Sequence, residues 1–372
     1  MSVSKHPNGP APETLPALWY HDPEVYARER QAIFRRHWWP LAREDQLASS
    51  GAYASGEIAG WPAFVIRGKD GALRGFHNVC RHRAGPLMRD EAGRCAALTC
   101  RYHGWRYDLE GRLKSAPGLT LGQDLDPTEF SLHPVRVATW NGLVFACLDD
   151  GAPDLTTWLG DIVAVAEGFP AVPDMTFQGE IVKAGSANWK AYGDNSCEGY
   201  HVKLVHTGLG KTVPEEQVEI RPYENGAFIG FDVTYALSAA DPSRRGRGFW
   251  IYKFPGLLLH FSDYAFNMEI VIPTGPRTVF LRRWFWCAEA LAAARGTSAQ
   301  AAIDSAEQVM GEDLEICELV QKNLEAGVYE CGRLSPTEEV GTIFFQQLVR
   351  QALSDAGSEA GSGTHADHPP AP

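Results

Sequence analysis

The chain has 372 residues, of which 44% are hydrophobic and 22% charged, which suits a globular protein with more than one core and excludes collagenous, coiled-coil and wholly disordered classes. Its 46 acidic and 34 basic residues give a net charge of −12, which argues against nucleic acid or an anionic membrane as a partner. Eight cysteines are too few and too unevenly spaced for a disulfide scaffold of this length. Because neither a signal-peptide core nor a membrane-spanning apolar run is found, we expect a cytoplasmic protein without a membrane anchor.

The first 150 residues divide into two parts with different sequence patterns. Residues 14–38 contain no glycine and carry apolar side chains at irregular helical intervals, which predicts a helical N-terminal segment over residues 1–39. Residues 40–150 consist of short apolar runs separated by turn residues. This pattern is typical of a small antiparallel β domain.

The remainder predicts a mixed α+β domain over residues 151–355. A connector with a short helix comes first, and strand-like runs rich in β-branched and aromatic residues follow it. Apolar residues at three- and four-residue steps predict a helix from about Ser298 to Ala326, and Ser335 with Glu338 resembles a capping box that would begin a second helix. Residues 356–372 are rich in glycine, serine and proline and predict a disordered tail.

Two cysteine–histidine pairs have the spacing of metal ligands. Cys80 and His82 form a C-x-H pair, and Cys100 and His103 form a C-x-x-H pair after the 17 residues 83–99. Each pair lies beside a strand-like run, so two hairpin tips could enclose a metal between them. The spacing suits a structural zinc site. It equally suits a [2Fe–2S] cluster in which two histidines replace two cysteines on one iron.

A second group of candidate ligands lies downstream. Asp194, Glu198 and His201 are spaced four and three residues apart, so a helix would put them on one face. His206 follows five residues later and can converge with His201 only if the helix ends or widens between them. Nearby carboxylates favour a metal site over simple packing, and two histidines with one carboxylate suit Fe(II) and O₂. On local spacing, Glu198 is itself a candidate for that carboxylate.

The first motif resembles a known signature. C-R-H-R-A-G at 80–85 and C-R-Y-H-G-W at 100–105 are similar to the Rieske motif of non-haem iron oxygenases. Respiratory Rieske proteins carry an additional cysteine in each loop, where this chain has Gly85 and Tyr102. The resemblance implies that Trp105 packs over the loop. The cluster ligands that it implies are Cys80 and Cys100 on one iron and His82 and His103 on the other.

The second motif resembles the mononuclear-iron site of the same family. N-W-K at 188–190, followed by D-N-S-C-E-G-Y-H at 194–201 and by His206, is similar to that motif, and a late helix supplies the third ligand in the family. The resemblance implies iron ligands His201, His206 and Asp313. It gives Glu198 a bridging role between a Rieske-ligand histidine of one subunit and His201 of the next. The candidate catalytic residues are Glu198, Asp194 and Asn195.

The resemblance extends over about residues 15–355 and implies a fold. We expect an α+β protein in which an antiparallel β Rieske [2Fe–2S] domain precedes a helix-grip (START/Bet v 1-like) catalytic domain with an antiparallel sheet and long C-terminal helices. Head-to-tail packing as a homotrimer would bring one subunit's cluster beside its neighbour's iron. The resemblance implies a terminal oxygenase that uses O₂ and NAD(P)H-derived electrons from a separate ferredoxin or flavin reductase. Candidates for docking that reductase are Arg81, Arg83 and Arg101.

The substrate remains open between two classes. The product would be a hydroxylated, dihydroxylated or demethylated small molecule, either an aromatic compound, as in aromatic hydrocarbon catabolism, or a quaternary ammonium such as choline, betaine or carnitine. Glutamate rather than aspartate at 198 slightly favours the second class, whereas Lys211 near the pocket would favour an anionic substrate. The residues expected to line the cavity are Tyr200, Val202, Val205, Leu209 and the strands around 228–233 and 257–261.

Two readings from other functional classes compete with the oxygenase. One is a non-catalytic helix-grip ligand-binding protein with a structural zinc module, and the other is an electron-transfer Rieske protein. The colour and iron content of the purified protein distinguish them. A colourless zinc protein would exclude the oxygenase, whereas a red-brown protein with about three irons per chain would support it.

Overall fold

The computed structural model of the chain describes residues 11–206, 218–236, 245–294 and 296–362. The N-terminal segment is helical, as the missing glycines predict. Its main helix begins at Asp22, whose carboxylate accepts hydrogen bonds from the amides of Glu24 and Val25. The elements of this segment are a 3₁₀ helix (Ala17–Tyr20), α1 (Pro23–Ala32) and a second 3₁₀ helix (Phe34–Arg36).

Antiparallel strands then follow one another up to residue 147. Their bounds are β1 (Trp39–Arg43), β2 (Ala52–Ile58), β3 (Trp61–Arg67), β4 (Leu73–His77), β5 (Ala92–Arg94), β6 (Leu98–Thr99), β7 (Arg106–Tyr107), β8 (Leu113–Ser115), β9 (Pro134–Trp140) and β10 (Leu143–Cys147). Seven of them form a sheet in the order β1-β10-β9-β4-β3-β2-β5, and β6-β7-β8 form a separate sheet. The loops after β4 and β6 carry the two cysteine–histidine pairs.

A second seven-stranded antiparallel sheet forms the frame of the C-terminal part. It follows a connector with two short helices, α2 (Leu155–Leu159) and α3 (Ile162–Ala166). Its strands are β11 (Thr176–Gly185), β12 (Val218–Tyr223), β13 (Phe228–Ala236), β14 (Arg245–Lys253), β15 (Leu257–Ser262), β16 (Ala265–Gly275) and β17 (Thr278–Cys287). Their order is β11-β17-β16-β15-β14-β13-β12, so β11 crosses to pair with the last strand.

Helices cover one face of this second sheet. Their bounds are α4 (Trp189–Ser196), α5 (Val202–Val205), α6 (Glu289–Ala294), α7 (Ala299–Glu325) and α8 (Val340–Ser362). Helix α7 contacts β11, β17 and α4, and α8 contacts β12 and β13. Ser298 caps α7 by accepting a hydrogen bond from the amide of Ala301. Long C-terminal helices held against an antiparallel sheet are the α+β arrangement that the sequence predicts.

The start of α8 differs from the prediction. The expected capping box puts the helix start near Ser335, but α8 begins at Val340. Ser335 Oγ does accept a hydrogen bond from the amide of Glu338, but the amide of Ser335 donates to the carboxylate of Glu339 and not to that of Glu338. These bonds close a separate turn that precedes the helix. The helix itself therefore begins five residues later than predicted.

The end of α8 also corrects a prediction. The helix continues through residues 356–362, which the composition assigned to a disordered tail. Once a helix has formed, each further residue adds a backbone hydrogen bond without a new nucleation cost, so a polar extension can stay helical. The rest of that predicted tail, residues 363–372, lies outside the described residues. Within the described part of the chain, no helix has the length and apolar character needed to cross a bilayer.

A buried ion pair joins the N-terminal segment to α4. Lys190 Nζ donates to Glu29 Oε1 at 2.5 Å, and the indole of Trp189 donates to Glu29 Oε2 at 2.8 Å. Both charged side chains are fully buried. Burial lowers the pKa of Lys190, and the Glu29 carboxylate opposes this effect. Helix α1 is therefore anchored directly beside the segment that carries the second candidate site.

We predict that breaking this pair destabilises the protein strongly. Lys190→Met or Glu29→Gln alone leaves an uncompensated buried group and should lower the free energy of unfolding by about 3–5 kcal/mol. The double variant Glu29→Leu/Lys190→Met should cost less than either single change. Urea unfolding followed by tryptophan fluorescence measures both, with the exposed Glu24→Gln as the control. Additive losses in the double variant would contradict the coupling.

Candidate metal centres and catalytic cavity

The two cysteine–histidine loops face each other at one tip of the N-terminal sheets. Each loop is closed by a backbone hydrogen bond of 2.9 Å, from the amide of Cys80 to the carbonyl of Gly85 and from that of Cys100 to the carbonyl of Trp105. Both cysteines are 2% exposed, whereas His82 and His103 are exposed. The thiols therefore lie on the protein side and the imidazoles on the solvent side.

Close packing holds these four side chains together. The rings of His82 and His103 have centroids 4.7 Å apart, and Trp105 stacks on His82 at 4.9 Å with a 5° interplanar angle. A Cβ at Gly85 would lie 2.9 Å from Cys100 Sγ, so a larger residue there would displace the sulfur. The donor set of two buried thiols and two exposed imidazoles fits a [2Fe–2S] cluster whose outer iron is held by histidine.

Two more residues contact these loops: Tyr107, which the sequence did not indicate, and Arg81, which it offered only as a candidate for docking the reductase. The Tyr107 hydroxyl lies 3.3 Å from Cys80 Sγ and accepts a hydrogen bond from the amide of Arg81, so it orients the first thiol. Arg81 donates to the carbonyl of Ser131 at 2.7 Å and lies over the ring of Phe130. Arg81 is thus fixed against the loop and not simply solvated. No sequence spacing relates Tyr107 to Cys80, so only the fold reveals this contact.

The second group of ligands sits on a broken helix. Helix α4 ends at Ser196, a turn follows, and His201 and His206 flank the single-turn helix α5. The prediction that Asp194, Glu198 and His201 share one helical face was therefore wrong, because the helix ends before Glu198. The break brings His201 and His206 together, as their five-residue spacing requires: the centroids of the two imidazoles lie 5.2 Å apart.

Asp313 reaches this histidine pair from α7. Its Oδ1 lies 2.9 Å from His206 Nε2 and 3.5 Å from His201 Nε2. One ligand atom from each of the three residues lies within 4.8 Å of the others. Asn195 donates to the same carboxylate oxygen at 2.6 Å. The three donors could hold one metal ion in a facial arrangement and leave other positions open.

The opposite nitrogen of each imidazole contacts a different carboxylate. Glu198 Oε1 lies 2.5 Å from His201 Nδ1, and Glu312 Oε2 lies 2.7 Å from His206 Nδ1. Such contacts fix the tautomer and orientation of a ligating imidazole. Of the two carboxylates that the sequence offers as the third ligand, Asp313 alone faces both Nε2 atoms, while Glu198 supports His201 from behind. Glu312 was missed as a site residue, although it precedes Asp313 in the sequence.

The charges of this group are strongly coupled. Burial alone would lower the pKa of His201, but the hydrogen bonds with Asp313 and Glu198 outweigh it and raise that pKa to about 9. Burial would raise the pKa of Asp313, yet the two imidazoles and Asn195 lower it to about 2. These carboxylates therefore stabilise positive charge at the imidazoles, and a divalent cation bound there would take the place of the protons.

Asp194 lies apart from the donor group. Its carboxylate accepts from the Tyr20 hydroxyl at 2.5 Å and from Gln346 at 2.8 Å, which joins α4 to the N-terminal segment and α8. Burial raises its pKa to about 7 against these two hydrogen bonds. Asp194 lines a cavity of about 380 Å³ on which Asn195 and Glu198 also border. It does not line the larger cavity that contains His201, His206 and Asp313.

That larger cavity has a volume of about 570 Å³ and lies between the second sheet and the helices. Tyr200 and Val202 line it as predicted, Val205 is not among its described lining residues, and Leu209 and Lys211 lie outside the described residues. The sheet contributes inward-facing side chains in two adjacent cross-strand rows. The first row contains Ile220, Phe231, Trp250 and His260, and the second contains Leu258, Glu269 and Arg283. The last two and Trp250 were not predicted, although strand alternation offers a signal for them.

Family models match both parts of the chain. Residues 37–125 match the Rieske [2Fe–2S] domain, and residues 172–355 match the ring hydroxylating alpha subunit (catalytic domain). The two matches occur in the order of the two candidate metal centres, with the first covering both cysteine–histidine pairs and the second covering His201, His206 and Asp313.

Relatives cover nearly the whole chain. The carnitine monooxygenase oxygenase subunit of Escherichia coli (strain K12) is 28% identical over 366 residues, covering 92% of this chain and 94% of that protein. The chloroplastic choline monooxygenase of Atriplex hortensis is 27% identical over 349 residues, which cover 91% of this chain and 78% of that protein. The structure of the quaternary ammonium Rieske monooxygenase CntA with an inhibitor is 25% identical, with a TM-score of 0.82, and the match covers 93% of this chain and 97% of that one. Naphthalene 1,2-dioxygenase, at 22% identity and a TM-score of 0.73 over 93% and 95%, shares the fold.

We predict that Glu312 supports metal binding through His206. Glu312→Gln removes the carboxylate that orients the imidazole and should weaken metal affinity about 10- to 100-fold, while the fold stays intact. Competition with a chelator, followed by bound Fe(II), measures this change. The exposed Glu315→Gln on the same helix is the matched control. Equal losses in both variants would show that the contact with His206 is not the cause.

Proposed function

The chain belongs to the Rieske non-haem iron oxygenases and is the terminal oxygenase component of such a system; we propose that its substrate is a small quaternary ammonium compound. Its cofactors are a Rieske [2Fe–2S] cluster and a mononuclear iron. The observation that carries the proposal is the donor group of His201, His206 and Asp313 on the wall of a 570 Å³ cavity whose opposite wall is aromatic.

The proposal assigns the ligands residue by residue. Cys80 and Cys100 bind one iron of the cluster, and His82 and His103 bind the other, within a Rieske domain of residues 40–150. His201, His206 and Asp313 bind the mononuclear iron in a catalytic domain of residues 151–355. Asn195 holds the Asp313 carboxylate by its 2.6 Å hydrogen bond, and Glu198 and Glu312 orient the two imidazoles.

Three features favour a quaternary ammonium over an aromatic substrate. The curated relatives described above are choline and carnitine monooxygenases. Phe231, Trp250 and Tyr252 supply aromatic faces, which attract a cation without the need for a hydrogen bond that a quaternary nitrogen cannot form. Glu198 adds negative charge to the same cavity, whereas Glu269 is paired there with Arg283. A neutral aromatic ring would use the apolar wall but would gain nothing from the Glu198 carboxylate.

The reaction class follows from the cofactors and the substrate. A mononuclear iron with open positions supplies O₂ activation when it is bound. Hydroxylation of a carbon attached to the ammonium nitrogen consumes one O₂, two electrons and two protons and releases one water. The carbon–nitrogen bond of the product then breaks with its electron pair on nitrogen, which gives a tertiary amine, an aldehyde and a proton. The reductant is the separate reductase, which draws electrons from NAD(P)H.

The electron route crosses between subunits in this proposal. Among the described residues, the rings of His82 and His103 contact aromatic side chains of the two Rieske loops, and both imidazoles are exposed, so the cluster has an edge available to another chain. Glu198 borders both the catalytic cavity and the 380 Å³ cavity beside it, so it can be reached from two sides. A head-to-tail homotrimer would bring a neighbour's histidine to the outer side of Glu198.

The proposal includes one external partner and a location. A ferredoxin or flavin reductase supplies the electrons, and the arginines beside the cluster, Arg81, Arg83 and Arg101, are the candidates for its docking. We propose a cytoplasmic location, since the reductase needs NAD(P)H. The plant relative named above is chloroplastic.

Iron content and a substrate panel test the proposal. The purified protein should contain about three irons per chain, two in the cluster and one mononuclear. Asp313→Ala should keep the cluster's absorption and lose one iron, and Cys80→Ser should lose the cluster. With a reductase and NADH, quaternary ammonium compounds should stimulate O₂ uptake and aldehyde formation, whereas aromatic acids and hydrocarbons should not. Coupled turnover of aromatic compounds alone would contradict the assigned substrate class.

Mixing two inactive variants tests the route between subunits. Cys100→Ser should lack a working cluster, and Asp313→Asn should lack working mononuclear iron, so each alone is inactive. Trimers assembled from both chains should recover part of the activity, because an intact cluster can then serve an intact iron in the neighbouring chain. Adding Glu198→Gln to the Cys100→Ser chain should abolish the recovery. Failure of the mixed trimers, with their assembly verified by mass, would contradict transfer between subunits.

A further inference from the structure

A polar cluster interrupts the apolar wall of the catalytic cavity. Its members lie on three adjacent strands: His260 on β15, Asn267 and Glu269 on β16, and Arg283 on β17. His260 is paired in register with Asn267, and Glu269 with Arg283, so all four side chains project from the same face of the sheet. His260, Glu269 and Arg283 line the cavity.

The guanidinium of Arg283 is held in place by three contacts, but not all of its N–H groups have an acceptor. Nε donates to Asn267 Oδ1 at 2.8 Å, Nη2 donates to His260 Nδ1, and Nη1 lies 3.5 Å from Glu269 Oε2. These contacts use three of the five N–H groups of the side chain. Among the described residues, the structure assigns no further acceptor to the other two, one on each Nη. The Arg283 side chain is 8% exposed, so water satisfies them poorly unless the cavity is open.

His260 adds a third donor to this group. Its Nδ1 accepts from the guanidinium, so the proton of the neutral ring is on Nε2, at the other side of the imidazole. Burial lowers the pKa of His260 well below its ordinary value, and the charge of Arg283 adds to this effect. The ring is therefore a neutral donor at physiological pH. Its centroid lies 5.5 Å from that of Trp250, the next residue of the inward row.

The cluster also connects to the metal-binding side of the cavity. Glu269 Oε1 accepts from the Tyr192 hydroxyl at 2.8 Å, and Tyr192 lies on α4, one turn before Asn195. Asn195 donates to Asp313. The polar cluster and the metal donors thus line one cavity, with the aromatic side chains of the sheet beside them. A ligand in this cavity meets hydrogen-bond donors on the sheet side.

We propose that Arg283 and His260 bind the carboxylate of a zwitterionic substrate, whose quaternary ammonium group lies against the aromatic wall and towards the metal donors. The inference rests on the proposed function and narrows its substrate class to ammonium carboxylates. An ammonium ion needs acceptors or π faces, and the one carboxylate of the polar cluster, Glu269, is already paired with Arg283 and Tyr192. The groups left for a ligand are the remaining N–H donors of a fixed guanidinium and an imidazole. A carboxylate accepts from both groups, and the charge-assisted bonds satisfy donors that are costly to leave unpaired.

Two substrates of equal length test the inference. 4-(Trimethylammonio)butanoate carries the carboxylate, and (4-hydroxybutyl)trimethylammonium replaces it with a hydroxyl. The wild-type holoenzyme with its reductase should favour the carboxylate by at least about tenfold in kcat/KM. Arg283→Gln should raise KM for the carboxylate about 10- to 100-fold, leave kcat less affected and abolish the preference. Calorimetric binding to the oxidised holoenzyme should show the same loss without turnover.

Matched variants separate this anchor from a general structural role. Arg282→Gln is the control, because Arg282 lies on the opposite face of β17, where it contacts Glu91 and Glu180. Arg283→Lys should keep part of the preference, since it retains the charge. If Arg283→Gln leaves Glu269 unpaired and fails to fold, Arg283→Gln/Glu269→Gln and His260→Gln give the same readout, and each should reduce carboxylate binding.

Two results distinguish failure of the inference from failure of the proposed function. Equal turnover of both compounds by the wild type, or equal losses in Arg283→Gln and Arg282→Gln, would overturn the anchor while the oxygenase keeps a quaternary ammonium substrate. Turnover of aromatic compounds with neither ammonium compound oxidised would overturn the proposed substrate class, and the anchor with it.

Discussion

The contact between the Asp313 carboxylate and the Nε2 atoms of His201 and His206 is the constraint on which the catalytic part of the molecule depends. It joins α7 to a turn more than a hundred residues earlier in the chain. Two further side chains of α7 hold it in position relative to α4, because Glu318 and Gln321 accept hydrogen bonds from the amides just before α4. A metal site with only three protein ligands tolerates little displacement, so these outer contacts matter as much as the ligands.

The two centres have opposite relations to solvent. His82 and His103 are exposed at a loop tip, whereas His206 is 2% exposed and lines the catalytic cavity. An exposed cluster edge permits electron exchange with other proteins. A buried iron site keeps O₂ chemistry away from water and side reactions. The same chain thus separates electron entry from oxidation, and Glu198 stands at the boundary of both cavities.

The fold alone does not decide the substrate of such an oxygenase. It is shared with naphthalene 1,2-dioxygenase as well as with a quaternary ammonium oxygenase. What differs from a purely apolar pocket is the inward face of the sheet, where the aromatic side chains of Phe231 and Trp250 are followed on the next strands by His260, Glu269 and Arg283. Because these side chains project from paired strands, a change of one side chain alters the cavity while the backbone stays the same.

The sequence by itself identified the candidate metal ligands, because cysteine–histidine spacing and the His201 to His206 interval are local patterns. The resemblance of its motifs to those of Rieske oxygenases, and not the spacing, favoured iron over zinc. The sequence also predicted the sheets, α7 and the helical N-terminal segment, whose periodicity is local. Only the tertiary structure decided that Asp313 and not Glu198 faces both imidazoles, that Asp194 belongs to a different cavity, and that Arg283 lines the substrate wall. Those decisions depend on where α4 ends and which strands pair, and long-range packing, unlike spacing, leaves no mark within a short stretch of sequence.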